Sequence, residues 1–263
     1  MKLLEGIPEI LFKYRDWANE HHRKIIFNNE IYFPSMSQFN DPYEGKIPYR
    51  YKDEDLTPDN IFIKMLSMAK SEHPDWSDEQ LHNYTYEHQR ENLLFDESHL
   101  ESVFHQTIED IERNFGIFSL TTEENNFLMW SHYSRSHKGF CIGFNTRILW
   151  ELTTGGIGPV AYDKVLPTFS LFEHPIMFSH KLLSTKSDIW AYENEFRIIK
   201  SGFARRTVKI PPETIAKVIF GCQMEFSIKL KIIDFIKSNL KACEVYETSL
   251  NGNEFKIDLM RIY

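Results

Sequence analysis

Short apolar segments of strand character alternate with amphipathic helical segments along this chain, and that alternation limits its fold more than any other feature. The pattern is sharpest at residues 116–145, where a strand (117–120), a helix (125–133) and a buried strand (139–144) follow one another. No internal repeat or convincing linker interrupts it. We therefore predict an α+β protein that forms a single domain over residues 1–263.

The remaining elements follow from periodicity and turn signals. Strands are predicted at residues 10–15, 30–33, 160–165, 195–199 and 217–221 and in a hairpin over 244–263 around Asn251-Gly252, and helices at 17–27, 146–152, 174–184 and 225–240. Residues 53–115 are predicted to be an insertion of two or three helices. Residues 155–159 (GGIGP) lack the preceding strand and following helix of a dinucleotide-binding fingerprint, so we predict a turn.

Composition narrows the classes of function. The chain has 263 residues, 42% of them hydrophobic, but no run of the roughly 20 apolar residues that a membrane helix needs and no apolar signal segment at its start. We therefore expect a cytoplasmic protein without membrane association. The net charge of −8 argues against gripping nucleic acid through bulk positive charge, while leaving room for a local basic cleft. The sequence also lacks the phosphate-loop, nucleophile-elbow and zinc-protease motifs.

Lys13, Tyr14 and Arg15 form the first of three polar clusters that could carry chemistry. Because side chains alternate across a strand, Lys13 and Arg15 are predicted to share one face. They could be solvated cations on an edge strand or part of a site.

Ser119 and Thr121 on a predicted strand form the second cluster, together with Trp130, His132 and Tyr133 on the helix that follows. A packed helix that buries Trp130 is the simpler interpretation of this cluster.

Glu195 and Arg197 form the third cluster. Alternation puts them on the same face of a predicted strand as Ile199. Charged side chains on an apolar strand are costly to bury unless they are paired or used. A structural ion pair of Glu195 with Arg197 or with Arg15 is the alternative to a catalytic role.

Taken together, these residues resemble a large family of bacterial domains of unknown function. The resemblance rests on four motifs: Leu11-Phe12-Lys13-Tyr14-Arg15; Phe39-Asn40-Asp41-Pro42; Met129-Trp130-Ser131-His132-Tyr133 with His137-Lys138-Gly139; and Trp190 to Arg197. It covers most of the chain outside the helical insertion.

A more distant similarity connects the chain with ADP-ribosyltransferases. The strand at Gly116 to Ser119 is similar to a Gly-Ile-Tyr-Phe segment of those enzymes, and Glu193-Asn194-Glu195 is similar to their Glu-x-Glu motif. The first strand departs from their pattern, because it lacks the expected His and offers Lys13 and Arg15 instead.

The resemblance implies mixed sheets like those of ADP-ribosyltransferases, and an enzyme that uses NAD as a substrate to mono-ADP-ribosylate a macromolecule. The acceptor could be a nucleic acid or a protein. A toxin, with an antitoxin partner, or an anti-phage defence effector would fit. The implied catalytic residues are Glu195, Glu193 and Arg197. The implied NAD-binding residues are Lys13, Tyr14, Arg15, Ser35, Asn40, Asp41, Ser119, Trp130 and Tyr133. No resident metal is implied.

Two other functions remain open from the residues alone. A metal-dependent nuclease would gather Asp41, Glu44, Glu193 and Glu195 around Mg²⁺. A non-catalytic binding module would keep a degenerate cleft in which Glu195 and Arg197 merely pair.

Overall fold

The structure, a computed structural model, describes residues 5–44, 47–48, 50–89 and 97–263. The described residues form twelve strands and eight α-helices, which confirms the predicted α+β class. The strands are β1 (Ile10–Arg15), β2 (Glu30–Phe33), β3 (Phe115–Thr121), β4 (Phe140–Asn145), β5 (Gly156–Pro159), β6 (Ala161–Asp163), β7 (Thr185–Ser187), β8 (Glu195–Ser201), β9 (Arg206–Lys209), β10 (Ile215–Phe220), β11 (Glu244–Leu250) and β12 (Ile257–Arg261). The helices are α1 (Glu20–Asn28), α2 (Pro58–Glu72), α3 (Asp78–Gln89), α4 (Glu97–Asn114), α5 (Phe127–Tyr133), α6 (Thr146–Thr153), α7 (Pro175–Leu183) and α8 (Phe226–Asn239).

Helices α2, α3 and α4 lie between β2 and β3, where the helical insertion is predicted. Thr57 caps α2 by accepting a hydrogen bond from the backbone N–H of Asn60, and Pro58 occupies the first helical position. Residues 90–96 of the predicted insertion lie outside the described residues. None of the described helices is long and apolar enough to cross a membrane.

Eight strands form the main sheet in the order β12-β11-β10-β4-β1-β3-β8-β5. Strands β10 and β11 run parallel, with α8 as the crossover helix that such a pair requires, and the other neighbours in this sheet are antiparallel. Two small sheets, β2-β9 and the parallel pair β6-β7, complete the described strands. The predicted C-terminal hairpin is confirmed, with Leu250 opposite Ile257 and a longer connection than the predicted tight turn.

The turn prediction for residues 155–159 is wrong. Gly156–Pro159 forms strand β5, which pairs antiparallel with β8 along its outer edge. The segment has little strand propensity of its own, but β8 offers an unpaired row of backbone groups that it satisfies. Pro159, which has no N–H to donate, is tolerated because it ends an edge strand.

Alternate residues of β1 contribute to different apolar layers. Leu11 packs with Ile26 of α1 and Ile232 of α8, in the larger core. Phe12 and Tyr14 face the other side and pack with residues that include Trp130 of α5. Strand β1 is therefore covered on both faces, which fixes its position at the centre of the sheet.

Candidate active site

The main sheet splits at its centre, between β1 and β3. Strand β1 pairs with β4 along six residues and β3 pairs with β8 along seven, but β1 and β3 share one ladder position among the described residues, Phe12 opposite Thr121. Beyond this pair the two strands diverge. The amine of Lys13 donates a hydrogen bond across the gap to the carbonyl oxygen of Ser119, which would otherwise lack a strand partner on that side.

A cavity of about 380 Å³ lies at this split. Strands β1 and β3, the segment that follows β2, helix α5, β7 and the start of β8 all contribute to its wall. The lining residues are Phe12, Lys13, Tyr14, Arg15, Pro34, Gln38, Phe39, Asn40, Ser119, Leu120, Thr121, Met129, His132, Tyr133, Lys186, Glu193 and Glu195.

Lys13 and Arg15 supply positive charge to one part of the wall. Lys13 is 9% exposed, and its amine lies 4.6 Å from the centre of the Phe118 ring. Burial, reinforced by the charge of Arg15, lowers the pKa of Lys13 well below its ordinary value. Burial also lowers the pKa of Arg15, but a guanidinium keeps its proton in proteins. The buried Nε of Arg15 has no hydrogen-bond partner among the described residues, so a donor is available to a ligand.

Glu193 and Glu195 add two carboxylates to the wall of the same cavity. Glu193 ends a 3₁₀ helix (Asp188–Glu193) and Glu195 begins β8. Asn194 between them has a left-handed backbone, with φ of 41°, a conformation that Asn tolerates better than most residues. The tight turn lets both carboxylates face the cavity although they come from different elements.

The Glu193 carboxylate accepts one hydrogen bond on each oxygen. The hydroxyl of Tyr133 donates to Oε1 at 2.5 Å, and the amine of Lys186 donates to Oε2 at 2.6 Å. Burial, together with this hydrogen bond to Glu193, raises the pKa of Tyr133, so its hydroxyl stays protonated as a donor.

Arg197 holds the Glu195 carboxylate through two hydrogen bonds. Nε donates to Oε1 at 2.8 Å and Nη2 to Oε2 at 2.9 Å. Burial by itself raises the pKa of Glu195, but the charge and hydrogen bonds of Arg197 outweigh it and bring the pKa to about 2. Arg197 also forms an ion pair with Glu44 and donates to the carbonyl oxygen of Leu183 at 2.5 Å.

Three carboxylates form ion pairs with two cations in this buried cluster. Glu44, Glu193 and Glu195 face Lys186 and Arg197. Burial raises the pKa of Glu44, and the charge of the nearby Arg197 opposes this rise without cancelling it. The carboxylates of Glu193 and Glu195 at the cavity wall suit a ligand group that carries or develops positive charge, and Lys13 lies within electrostatic reach of both carboxylates.

The cavity brings together eight of the twelve residues predicted for the site. They are Lys13, Tyr14, Arg15, Asn40, Ser119, Tyr133, Glu193 and Glu195. The hydroxyl of Tyr14 already donates to the carbonyl oxygen of Glu123 at 2.8 Å, so its contribution to the wall is the aromatic ring.

The other four predicted residues do not line the cavity. Ser35 is fully buried and donates to Glu112 at 2.5 Å, and Trp130 is fully buried with its ring edge-on to Tyr14 at 5.0 Å. A role for Trp130 in stacking on a ligand is therefore not supported, because neighbouring side chains cover both the ring and its edges. Asp41 lines a second cavity, of about 280 Å³, and Arg197 lies behind Glu195.

Lys186 is the main residue that sequence reasoning missed. It lies on the three-residue strand β7, which pairs with β6, and neither strand has an apolar pattern that marks it. His132, a member of the second predicted cluster, stands at the cavity wall beside Tyr133, and its Nδ1 is 2.9 Å from the hydroxyl of Tyr192.

Residues 129–198 match the model of a family described as Protein of unknown function (DUF2971). The matched segment contains Tyr133, Lys186, Glu193 and Glu195, and leaves out β1 with its two cations. The match supports the resemblance to a family of domains of unknown function, and the description of that family names no activity. No curated protein and no solved structure matches the chain significantly.

Proposed function

We propose that the cavity binds NAD and that the protein transfers ADP-ribose from it to a macromolecular acceptor. The observation that carries the proposal is the presence of both kinds of charge in one cavity, whose wall contains the cations Lys13 and Arg15 and the carboxylates of Glu193 and Glu195. NAD also carries both kinds of charge, because its nicotinamide ring is cationic and its diphosphate is anionic. The distant similarity to ADP-ribosyltransferases points to the same ligand.

Arg15 is the residue we assign to the diphosphate. Its guanidinium stays charged, and its Nε lacks a partner among the described residues. Lys13 is less suited to this role, because its amine already donates to Ser119 and its pKa is lowered by burial. The volume of about 380 Å³ is near the lower end of the usual range of roughly 300–1,000 Å³ for ligand sites, so we expect only part of the dinucleotide to be enclosed.

Glu195 is the residue we assign to stabilising the transition state. When the bond between ribose C1′ and the nicotinamide nitrogen breaks, its electron pair goes to that nitrogen and positive charge develops on the ribose, as in glycoside cleavage. Nicotinamide leaves as a neutral molecule, so no general acid is needed. A carboxylate with a pKa of about 2 is ionised throughout the physiological range and held rigidly by Arg197, which suits an electrostatic role.

Glu193 is the residue we assign to the acceptor. The acceptor nucleophile forms the new bond to C1′ and must lose a proton. Glu195 is too weak a base for that step. Glu193 accepts one hydrogen bond per oxygen, from Tyr133 and from Lys186, and so keeps lone pairs free for a further donor.

The acceptor that we propose is the one expected from the sequence, a nucleic acid or a protein. A role as a toxin with an antitoxin partner, or as a defence effector, is likewise part of the proposal.

A metal-dependent nuclease has less support, since the described residues contain no group of three or more His, Cys, Asp or Glu side chains arranged for a metal. The binding-module alternative is favoured by one observation, the close pairing of Glu195 with Arg197.

Incubation of the purified protein with NAD labelled in its adenosine moiety, with and without a cell lysate, tests the proposal. We expect the wild type to release nicotinamide and to label a protein or nucleic-acid fraction, and Glu195→Gln to lose at least a hundredfold in rate. Glu112→Gln is the matched control, because Glu112 is a partly buried carboxylate held by Ser35 and Arg205, outside the cavity. The absence of both NAD binding and nicotinamide release in the wild type would remove the proposal in favour of a binding module.

A further inference from the structure

Lys186 occupies a position between the two site carboxylates. Its amine lies 2.6 Å from Oε2 of Glu193 and 3.5 Å from Oε2 of Glu195, and its side chain is 5% exposed. The amine also lies 4.6 Å from the centre of the Trp190 ring. The lysine is thus fixed by two anions and one aromatic ring.

The strand pair β6-β7 explains how Lys186 reaches this position. Lys186 is the register partner of Tyr162. The hydroxyl of Tyr162 accepts a hydrogen bond from the backbone N–H of Glu195 at 2.9 Å. The small sheet therefore contacts Glu195 twice, through Tyr162 at its backbone and through Lys186 at its carboxylate.

The two carboxylates share Lys186, and Glu195 has Arg197 as a second cation. Arg197 forms ion pairs with Glu195 and Glu44, whereas Lys186 is the one cation in ion-pair contact with Glu193 among the described residues. Two buried carboxylates close together repel each other, and without a shared cation one of them takes up a proton. Other charged or titratable groups around the pair are Lys13 from β1, Tyr133 from α5, Tyr162 from β6 and Tyr192 from the 3₁₀ helix.

We infer that Lys186 is a positioning residue, which holds Glu193 and Glu195 side by side in their ionised forms at the cavity wall. The effect of Lys186 on the rate of turnover rests on the proposed function, because ADP-ribose transfer needs both carboxylates ionised at once. The positioning itself is a property of the fold and can be measured without any substrate. Lys186 also lines the second cavity, beside Asp41 and Glu44, so its side chain contributes to the walls of both.

Lys186→Met is the informative variant, because it removes the charge and keeps most of the side-chain volume between the cavities. Infrared spectra at pH 7 report carboxyl protonation directly. We expect Lys186→Met to absorb more strongly than the wild type at the frequency of a protonated carboxyl group, and Lys186→Met/Glu193→Gln to return to the wild-type level. Lys164→Met is the matched control, since Lys164 lines the second cavity but its side chain is 84% exposed.

Nicotinamide release gives the second readout. In Lys186→Met the rate at pH 7 is expected to fall at least tenfold, and the pH at which activity is lost on acidification is expected to rise by at least one unit. Lys186→Arg is expected to recover part of the rate and to restore the wild-type pH profile.

Each result of these experiments either supports or overturns the positioning role of Lys186. Spectra of Lys186→Met that match the wild type overturn it, and so does an unchanged pH profile in an active variant. If the wild type releases no nicotinamide, the proposed function fails while the spectra still decide the positioning role. Should Lys186→Met fail to fold, folding of the double variant supports the inference, because the defect then comes from unbalanced carboxylates. If Lys186→Met and the double variant both fail to fold, the inference is overturned and Lys186 has a purely structural role.

Discussion

Arg197 and Glu195 stand two residues apart on β8 and are joined by two parallel hydrogen bonds, from Nε to Oε1 at 2.8 Å and from Nη2 to Oε2 at 2.9 Å. Both side chains are buried, yet Glu195 still reaches the cavity wall. The pair is therefore a structural ion pair and part of the site at the same time. Substitutions of Arg197 therefore test how the Glu195 carboxylate is held in place, whereas substitutions of Glu195 test the proposed reaction.

Removal of Arg197 is expected to be strongly destabilising. Arg197→Met leaves Glu44 and Glu195 buried without their shared cation, and the loss of one partner of a buried pair costs about 3–5 kcal/mol. Urea unfolding measures the change in the free energy of unfolding. Arg113→Met, which removes an exposed arginine paired with Glu109, is the control and is expected to cost below about 1 kcal/mol. Equal stability of the two variants would contradict the buried pairing.

Protonation of Glu195 at low pH is expected to lower the free energy of unfolding. The pKa of its carboxyl is about 2 in the folded protein, against an ordinary value of 4.5. The ionised group therefore stabilises the fold fully above pH of about 4.5, and this contribution is lost as the pH falls towards 2. We expect the stability difference between the wild type and Glu195→Gln to narrow as the pH is lowered from 5 to 2.5. Urea unfolding at each pH checks this, and a constant difference would show that the pKa of Glu195 is not depressed.

Arg15 is expected to contribute more to NAD affinity than Lys13. A hydrogen bond to a charged group is worth about 1.5–3 kcal/mol, so loss of the contact with a phosphate weakens binding by tenfold or more. Titration calorimetry with NAD measures the affinities of Arg15→Met and Lys13→Met. Lys209→Met, which removes an exposed lysine paired with Glu30, is the control. A greater loss in Lys13→Met would reverse the assignment.

Gly139 is expected to tolerate no side chain. A Cβ at this position would overlap the carbonyl oxygen of Arg15, because β4 and β1 approach closely where Phe140 pairs with Arg15. Gly139→Ala should cost about 1–3 kcal/mol and weaken NAD binding by displacing the end of β1. Gly158→Ala is the matched control, since a Cβ there meets no atom within 4 Å. Similar unfolding curves for both variants would contradict the close approach.

The sequence predicted the parts of the site that depend on local periodicity. Alternation along residues 195–199 put Glu195 and Arg197 on one face, and the structure pairs them. The α5 prediction began at Asn125, close to the observed cap, where Asn126 accepts hydrogen bonds from the N–H groups of Leu128 and Met129. These features rest on residues near one another in the chain, so the pattern of side chains was sufficient.

Other parts of the site depend on contacts between distant segments. Trp130 carries no local signal that separates a buried ring from a ligand-stacking one, and only the packing of α5 against Tyr14 decides it. Residues 155–159 have turn-like composition, and only the free edge of β8 makes Gly156–Pro159 a strand.

By itself, the sequence determined most of the longer strands and helices, the faces they present, and the carboxylates and cations that were candidates, because these follow from side-chain spacing along the backbone. Only the tertiary structure decided that β1 and β3 part after Phe12 and Thr121, that a cavity opens there, and that Lys186 comes between Glu193 and Glu195. The physical reason is that strand pairing and the approach of β7 bring together residues from distant parts of the chain, and no local spacing encodes such contacts.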